Sequence, residues 1–241
     1  MLHFHIVTLF PESIEPYLKA SIIGRAQENK KIKVSFYDPK DFTRDKYGRV
    51  DRRPYGGGPG MVLEAEGVLR AAQKAIGKKK NVTTVFFATD GVQFDEAMAM
   101  RLACASQART KRSAKVSAKD SHIVFICGHY EGVDERVATI LKAQKVTVGP
   151  FVLTGGELPA ATMIDAIARF VPGVLGKAES LERSRVSSAE VYTRPEVLVW
   201  KKKKYKVPEV LLSGHHAKID EWKQGNAAKA KGSLDKPEAQ G

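Results

Sequence analysis

The stretch HIVFICGHYEGVDERV (122–137) joins an apolar run to a loop that contains two glycines. Its first seven residues are rich in β-branched and aromatic side chains, which favours a strand. Four further runs share this composition: FHIVTLF (4–10), IKVSFYD (32–38), VTTVFFAT (82–89) and KVTVG (145–149). Strands that are apolar throughout are typical of a parallel sheet that helices cover on both faces.

Helical periodicity appears between and after these runs. Apolar residues recur at helical spacing in three sets: Val68, Leu69, Ala72 and Ile76; Met98, Leu102 and Ala105; and Met163, Ile164, Ile167 and Val171. The alternation of the two patterns predicts an α/β domain with a mainly parallel sheet and helices on both faces.

The character of the chain changes after Gly176. Residues 177–190 are polar and lack sustained periodicity. We therefore predict a main domain over 1–172, an interdomain linker over 173–190 and a small C-terminal unit over 191–224. That unit should contain one clear helix after Ser213, a suitable N-cap. The segment 225–241 has almost no large apolar residue, which predicts a disordered tail.

The chain is basic, with a formal net charge of +13 and a pI of about 9.7. Such an excess of positive charge favours a polyanionic partner. No run approaches the roughly 18 apolar residues of a spanning helix, so no membrane partner is expected. Nucleic acid is the favoured partner. Two basic segments, 109–119 and 201–206, are candidates for phosphate contacts, and the alternative for each is a solvated loop.

The cysteines and histidines form no recognisable motif. Cys104 and Cys127 cannot make a disulfide framework or a CxxC pair, which predicts a cytoplasmic location. Cys127 is interpreted as a buried structural thiol rather than a nucleophile. The six histidines include no HExxH motif and no cluster with cysteine, so no metal site is predicted.

Three glycine-bearing segments are the main candidates for a binding site. RPYGGGPGM (53–61) matches neither the phosphate-binding P-loop nor the GxGxxG signature. CGHYEGVDERV (127–137) and VGPFVLTGGELPA (148–160) each follow a predicted strand. Ligands of open parallel sheets bind outside the carboxyl ends of the strands. The loops should therefore form one cofactor pocket, where backbone groups can contact a heterocycle.

These segments resemble the bacterial tRNA (guanine-37-N1)-methyltransferases, a family of the SPOUT class of S-adenosylmethionine-dependent enzymes. The resemblance covers about residues 1–222. It extends from LFPE (9–12) through the glycine segments to IDAIARFVPGVLG (164–176), YTRPEV (192–197) and VPEVLLSGHHAKI (207–219). It implies a trefoil knot near the cofactor, an obligate antiparallel homodimer, and tRNA as the substrate. Domain 1–172 would then be catalytic, and 191–224 would be a shortened helical unit that binds tRNA.

The resemblance also implies a set of cofactor-binding residues: Gly128, Glu131, Gly132, Val148, Gly149, Pro150, Phe151, Val152, Leu153, Gly155, Gly156 and Pro159. Glu131 would be a partner for the ammonium group of S-adenosylmethionine, and its alternative is a solvated surface residue. The apolar members Val148, Phe151, Val152 and Leu153 have ordinary core packing as their alternative. The GGGPG loop would border the active site. A role for magnesium is left open, with no recognisable protein cluster to bind it.

Arg169 and a linker carboxylate are the implied catalytic residues. Arg169 matches the arginine that would stabilise negative charge on O6 of guanine. The family has an aspartate in the linker as the base, but residues 177–190 contain no aspartate. Glu182 is the predicted replacement, with Glu190 as the next candidate. The missing aspartate keeps a second hypothesis open, an RNA-binding protein with a vestigial cofactor pocket.

The expected tRNA contacts are basic residues in both domains: Arg52, Arg53, Lys201, Lys202, Lys203, Lys204 and His216. The chain departs from the family pattern at His129, where the family has an arginine, and at Thr89, where it has a proline. The last helices of the family's C-terminal unit are missing, and the two basic segments could compensate through phosphate contacts.

Overall fold

The computed structural model of the protein describes residues 1–104, 120–175 and 190–234, with the backbone alone for 226–234. The chain divides into two compact units, Met1–Gly176 and Lys177–Gly241. The predicted base Glu182 and the basic segment 109–119 lie outside the described residues.

The first unit alternates strands and helices, as the periodicities predict. Its strands are β1 (Leu2–Val7), β2 (Ile32–Tyr37), β3 (Asp51–Arg52), β4 (Val62–Leu63), β5 (Val82–Gln93), β6 (Ser121–Ile126) and β7 (Gln144–Thr147). Its α-helices are α1 (Glu15–Lys19), α2 (Ser21–Glu28), α3 (Ala65–Ile76), α4 (Glu96–Cys104), α5 (Arg136–Leu141) and α6 (Glu157–Ala168). Short 3-10 turns span Pro11–Ser13 and Pro39–Phe42.

Five of these strands form one parallel sheet in the order β2-β1-β6-β5-β7. They correspond to the five apolar runs of the sequence, so the predicted α/β fold with a parallel sheet is confirmed. The trefoil knot that the resemblance implies stays a prediction. β3 and β4 form a separate antiparallel pair.

The sheet has a hydrophobic core on each face. Phe4 and Phe125 are fully buried on one face, in a cluster that includes apolar residues of α2, α4 and α6. Val124 and Ile126 are buried on the other face with residues of α3 and α5. Burying one such side chain contributes roughly 1.5–3 kcal/mol. Two covered faces explain why these strands lack the polar–apolar alternation of a half-exposed sheet.

The end of β5 is irregular. Phe87 and Val92 both pair with Val146, so residues 88–91 bulge out of the ladder. A Cβ at Gly91 would lie 2.5 Å from the backbone nitrogen of Val146, which explains a residue without a side chain there. The composition of this run predicts a strand but not its bulge, which lies at the carboxyl end of β5.

The second unit contains a β-hairpin and two helices. Strands β8 (Val197–Trp200) and β9 (Lys203–Lys206) are antiparallel, and Lys201 and Lys202 make the turn with φ of 48° and 65°. The helices are α7 (Glu209–Leu212) and α8 (His216–Leu234). Ser213 is the C-cap of α7, so its prediction as the N-cap of the later helix is wrong.

Helix α8 also corrects the predicted tail, because residues 225–234 are helical rather than disordered. This part of the chain is rich in alanine and lysine. Both have high helix propensity, which low hydrophobicity alone does not reveal. In the described part of the chain, no helix is long and apolar enough to cross a membrane.

Candidate cofactor and active site

A cleft of about 390 Å³ lies where the carboxyl ends of β5, β6 and β7 meet. Ten of the twelve predicted cofactor residues line it: Gly128, Glu131, Gly132, Val148, Phe151, Val152, Leu153, Gly155, Gly156 and Pro159. Gly149 and Pro150 are absent from its described lining. Gly149 instead packs beside the ring of Phe151, whose Cε1 would lie 2.1 Å from a Cβ at that position.

Two of the glycine loops are in direct contact. The N–H of Gly156 donates a hydrogen bond of 3.0 Å to the carbonyl of Gly128, and His129 pairs with Gly155 in an antiparallel bridge. A Cβ at Gly156 would lie 2.5 Å from Cα of Cys127. Close approach of the two chain segments therefore explains the glycine at position 156. The sequence had suggested instead that a ligand approaches the backbone there.

The segment 53–61, which contains GGGPG, and the adjoining strand β4 contact the loop that follows β6. The N–H of Glu131 donates to the carbonyl of Met61 at 3.0 Å, and the N–H of Leu63 donates to the carbonyl of Gly132 at 2.9 Å. Gly60 has a φ of +76°, and a Cβ there would lie 2.2 Å from Oε1 of Glu131. Both the backbone conformation and the neighbouring carboxylate therefore require glycine at position 60.

The cleft has an exposed apolar wall. Phe151, Val152 and Leu153 are 57%, 81% and 37% exposed, so they are not core residues. Val148 is half-buried and packs against the core while it also lines the cleft. Contiguous exposed apolar residues of this kind mark a surface that binds a ligand or a partner.

Thr8, Glu157 and His129 form a buried polar network next to the cleft. Glu157, the first residue of α6, is only 5% exposed and accepts a hydrogen bond from the hydroxyl of Thr8. Its other oxygen lies 2.7 Å from Nε2 of His129. Neither Thr8 nor Glu157 was predicted from the sequence. The only available signal was an acidic residue at the start of a predicted helix, directly after two glycines.

Cys127 lies beside this network and is buried. Burial, with a smaller contribution from Glu157, raises the pKa of the Cys127 thiol well above its usual value. A protonated thiol is a poor nucleophile. The structure thus agrees with the interpretation of Cys127 as a structural residue.

The two predicted catalytic residues are not brought to the cleft in the described part of one chain. Arg169 is exposed and caps the C-terminal end of α6. The N-terminal end of this 12-residue helix lies at the cleft, and its length is about 18 Å. Glu182 is outside the described residues. Glu190, the next candidate base, accepts a hydrogen bond of 2.7 Å from the hydroxyl of Tyr192.

A second, arginine-rich groove shares Glu131, Val133 and Glu135 with the cleft. Its arginines are Arg44, Arg52, Arg53, Arg70 and Arg136. Four of them form ion pairs with carboxylates that also line the groove: Arg44 and Arg70 with Glu66, Arg52 with Glu64, and Arg136 with Asp134. Arg53 makes no hydrogen bond or ion pair with the described residues. Tyr55, two residues further on, is fully exposed.

The other predicted RNA contacts belong to the second unit and are exposed. Lys201 and Lys202 form the hairpin turn, Lys203 and Lys204 begin β9, and His216 is the first residue of α8.

A parallel α/β sheet with glycine loops around a cleft at the carboxyl ends of its strands is typical of proteins that bind nucleotide-like ligands. Comparison with known proteins narrows this class. Residues 2–238 match the family described as tRNA (Guanine-1)-methyltransferase TrmD. The chain belongs to this family.

Relatives named tRNA (guanine-N(1)-)-methyltransferase match over nearly the whole chain. The protein of Campylobacter jejuni subsp. doylei is 40% identical over 90% of this chain and 88% of its own length. The protein of Magnetococcus marinus is 40% identical over 94% of this chain and 84% of its own length. The protein of Pseudoalteromonas atlantica is also 40% identical, over 91% of this chain and 78% of its own length.

Proposed function

We propose that the protein methylates N1 of guanine-37 in the anticodon loop of tRNA, with S-adenosylmethionine bound in the cleft at the ends of β5, β6 and β7. The observation that carries the proposal is the convergence of the glycine loops on one cleft in a chain of this family. Arg53 and the exposed Tyr55, which line the groove beside the cleft, supply contacts for the RNA.

The residues of the cleft fit the proposed cofactor. The volume of about 390 Å³ is within the range of small-molecule sites. The exposed wall of Phe151, Val152 and Leu153 suits the flat apolar face of an adenine, and Glu131 offers a carboxylate for the ammonium group. When bound, S-adenosylmethionine supplies a methyl group on a sulfonium leaving group. No nucleophilic residue is then required, in keeping with the buried thiol of Cys127.

The chain's own contribution is to move a proton and to stabilise charge. N1 of guanine carries a proton, which a base must remove before the N1 lone pair can accept the methyl group. We assign this role to the carboxylate of Glu182. Loss of the proton increases the negative charge on O6, which the guanidinium of Arg169 would stabilise. Glu182→Gln should therefore slow single-turnover methyl transfer by about 10²-fold.

The position of Arg169 supports a homodimer. In one chain it lies about 18 Å along α6 from the cleft. A second copy packed antiparallel would bring the guanidinium of its own Arg169 to this cleft. The exposed apolar side chains of the 151–153 loop and of Leu158, which is 58% exposed, provide a surface for such a partner.

The exposed basic and aromatic residues suit tRNA. Arg53 can contact a phosphate without first breaking an ion pair, and the exposed ring of Tyr55 can stack on a base. The hairpin of the second unit combines its lysines with Trp200 and Tyr205, which are 63% and 48% exposed. Lys203 Nζ lies 5.5 Å from the centre of the Tyr205 ring.

Methyl incorporation into an unmodified tRNA transcript tests the function. The purified chain should label a transcript with guanine at position 37 and leave a matched transcript with adenine there unlabelled. Parallel reactions with magnesium and with a chelator test the role of that ion. Tight RNA binding without label in the guanine transcript would instead favour an RNA-binding protein with a vestigial pocket.

A further inference from the structure

Three histidines meet on one face of the sheet, between the amino ends and the middle of β1 and β6. His3 and His5 are two residues apart on β1, so their side chains share a face. His122 on β6 is the register partner of His3. One ring nitrogen from each lies within 4.8 Å of those of the other two. Because His122 is far from the other two in sequence, no spacing motif reveals the cluster.

Neighbouring hydroxyl groups orient two of the rings. Nδ1 of His5 lies 3.0 Å from the hydroxyl of Tyr37, and Nε2 of His3 lies 3.1 Å from the hydroxyl of Ser35. Nε2 of His5 lies 3.1 Å from Nδ1 of His122. Hydrogen bonds to the outer nitrogen are how metal-binding histidines are usually held in place. The hydroxyl groups leave Nδ1 of His3 and Nε2 of His5 for a common ligand, and a bound ion would replace the hydrogen bond between His5 and His122.

The surroundings of the cluster are mixed in polarity. His5 is fully buried, and His3 and His122 are partly exposed, so solvent reaches the cluster from one side. Burial is the main cause that lowers the pKa of His3 to about 4 and of His5 to about 3. The charged groups that act on the rings are Lys33, Lys79, the amino terminus and Asp120, whose carboxylate lies 3.1 Å from that terminus.

We propose that His3, His5 and His122 form a binding site for one divalent transition-metal ion, with Zn²⁺ as the best match. Three imidazole nitrogens are a known zinc ligand set, at Zn–N distances of about 2.0–2.1 Å, and they leave a fourth position for water. Ligand nitrogens in tetrahedral sites lie roughly 3.3 Å apart. Modest rotation of the partly exposed His3 and His122 rings would reach this spacing.

The site is separate from the cofactor cleft. The cleft is at the carboxyl ends of the strands, whereas His3 and His122 are the second residues of β1 and β6. A bound ion would link β1 and β6, two adjacent inner strands of the sheet, and would stabilise their pairing. The ion therefore acts on the stability of the sheet and takes no part in methyl transfer.

A zinc titration of the untagged full-length chain tests the site. Competition with a chromophoric chelator should give one tightly bound Zn²⁺ per chain, and Co²⁺ should give the intense visible absorption of a tetrahedral site. His3→Gln and His122→Gln should each weaken binding at least tenfold, and Tyr37→Phe by about tenfold through loss of the outer hydrogen bond. His215→Gln, an exposed histidine in the second unit, is the matched control and should bind as the original chain does.

Thermal unfolding provides the second measurement. Zinc should raise the unfolding midpoint of the original chain and of His215→Gln, because the ion binds the folded state. Zinc should leave the unfolding midpoints of His3→Gln and His122→Gln unchanged. The proposal is overturned if no stoichiometric ion binds, or if both cluster variants bind zinc and respond to it as the control does. Circular dichroism before the titration excludes loss of fold in either variant.

Discussion

At the scale of single residues, Glu131 links the parts of the proposed site. Its N–H is bonded to the glycine-rich segment, its side chain lies against Gly60, and it lines both the cleft and the arginine-rich groove. The sequence predicted this residue through the family resemblance. It did not predict Thr8 and Glu157, because their contact joins positions 149 residues apart. The histidine cluster was missed for the same physical reason.

Glu131→Gln should weaken S-adenosylmethionine binding by about tenfold or more, since a charge-assisted hydrogen bond to the ammonium group becomes a neutral one. Isothermal titration calorimetry measures the change. Glu28→Gln, at the exposed end of α2, removes the same charge away from the cleft and should leave the affinity unaltered. Equal affinities in the two variants would mean that another group receives the ammonium.

Gly156→Ala should destabilise the fold by about 1–3 kcal/mol, because the new methyl group would lie 2.5 Å from Cα of Cys127 and would push two loops apart. Chemical denaturation measures the free energy of unfolding. Gly225→Ala in α8 is the control for the added methyl group, since nothing lies within 4 Å of a Cβ there, and it should be neutral or stabilising because alanine has the higher helix propensity. An unchanged stability in Gly156→Ala would show that the two loops do not need this close approach.

At the scale of helices and strands, composition and periodicity predicted the five strands of the sheet and its main helices. These elements were predictable because each carries its own local signal, an apolar run or a helical repeat. The bulge at residues 88–91 was not predicted, since it depends on pairing with Val146. The β8–β9 hairpin was read only as a basic segment, because its turn is formed by two lysines rather than by glycine or asparagine.

The hairpin lysines should contribute to the salt dependence of tRNA binding. Replacing Lys201, Lys202, Lys203 and Lys204 by serine should flatten the slope of log K against log salt by about one unit for each phosphate that these lysines neutralise. Filter binding over a range of salt concentrations measures the slope. Lys78→Ser with Lys80→Ser is a suitable control, because these lysines precede β5 at the edge of the sheet away from the cleft. If the hairpin variant and the control give the same slope, the hairpin lysines are solvated and do not contact phosphates.

At the scale of the whole molecule, the parallel sheet separates the proposed cofactor site from the proposed metal site. The glycine loops and the cleft lie at the carboxyl ends of its strands, whereas His3 and His122 lie near the amino ends and His5 lies in the middle of β1. Helix α6 begins at the cleft and ends with Arg169 about 18 Å away. The sequence predicted both the cleft and Arg169 but not their separation, which only the direction of α6 reveals. We therefore propose that one active site of the enzyme is built from two chains, with the cleft of one chain and Arg169 of its partner.

A mixed dimer tests this central claim most directly. Arg169→Ala and Glu131→Lys, a reversal that should repel the cofactor's ammonium group, are co-expressed with different tags, and the heterodimer is purified. If the cleft of one chain uses the partner's Arg169, the heterodimer has one complete site. It should then methylate the guanine-37 transcript at about half the rate of the original dimer, while each variant homodimer stays nearly inactive. A heterodimer as inactive as both homodimers would contradict a site shared between two chains.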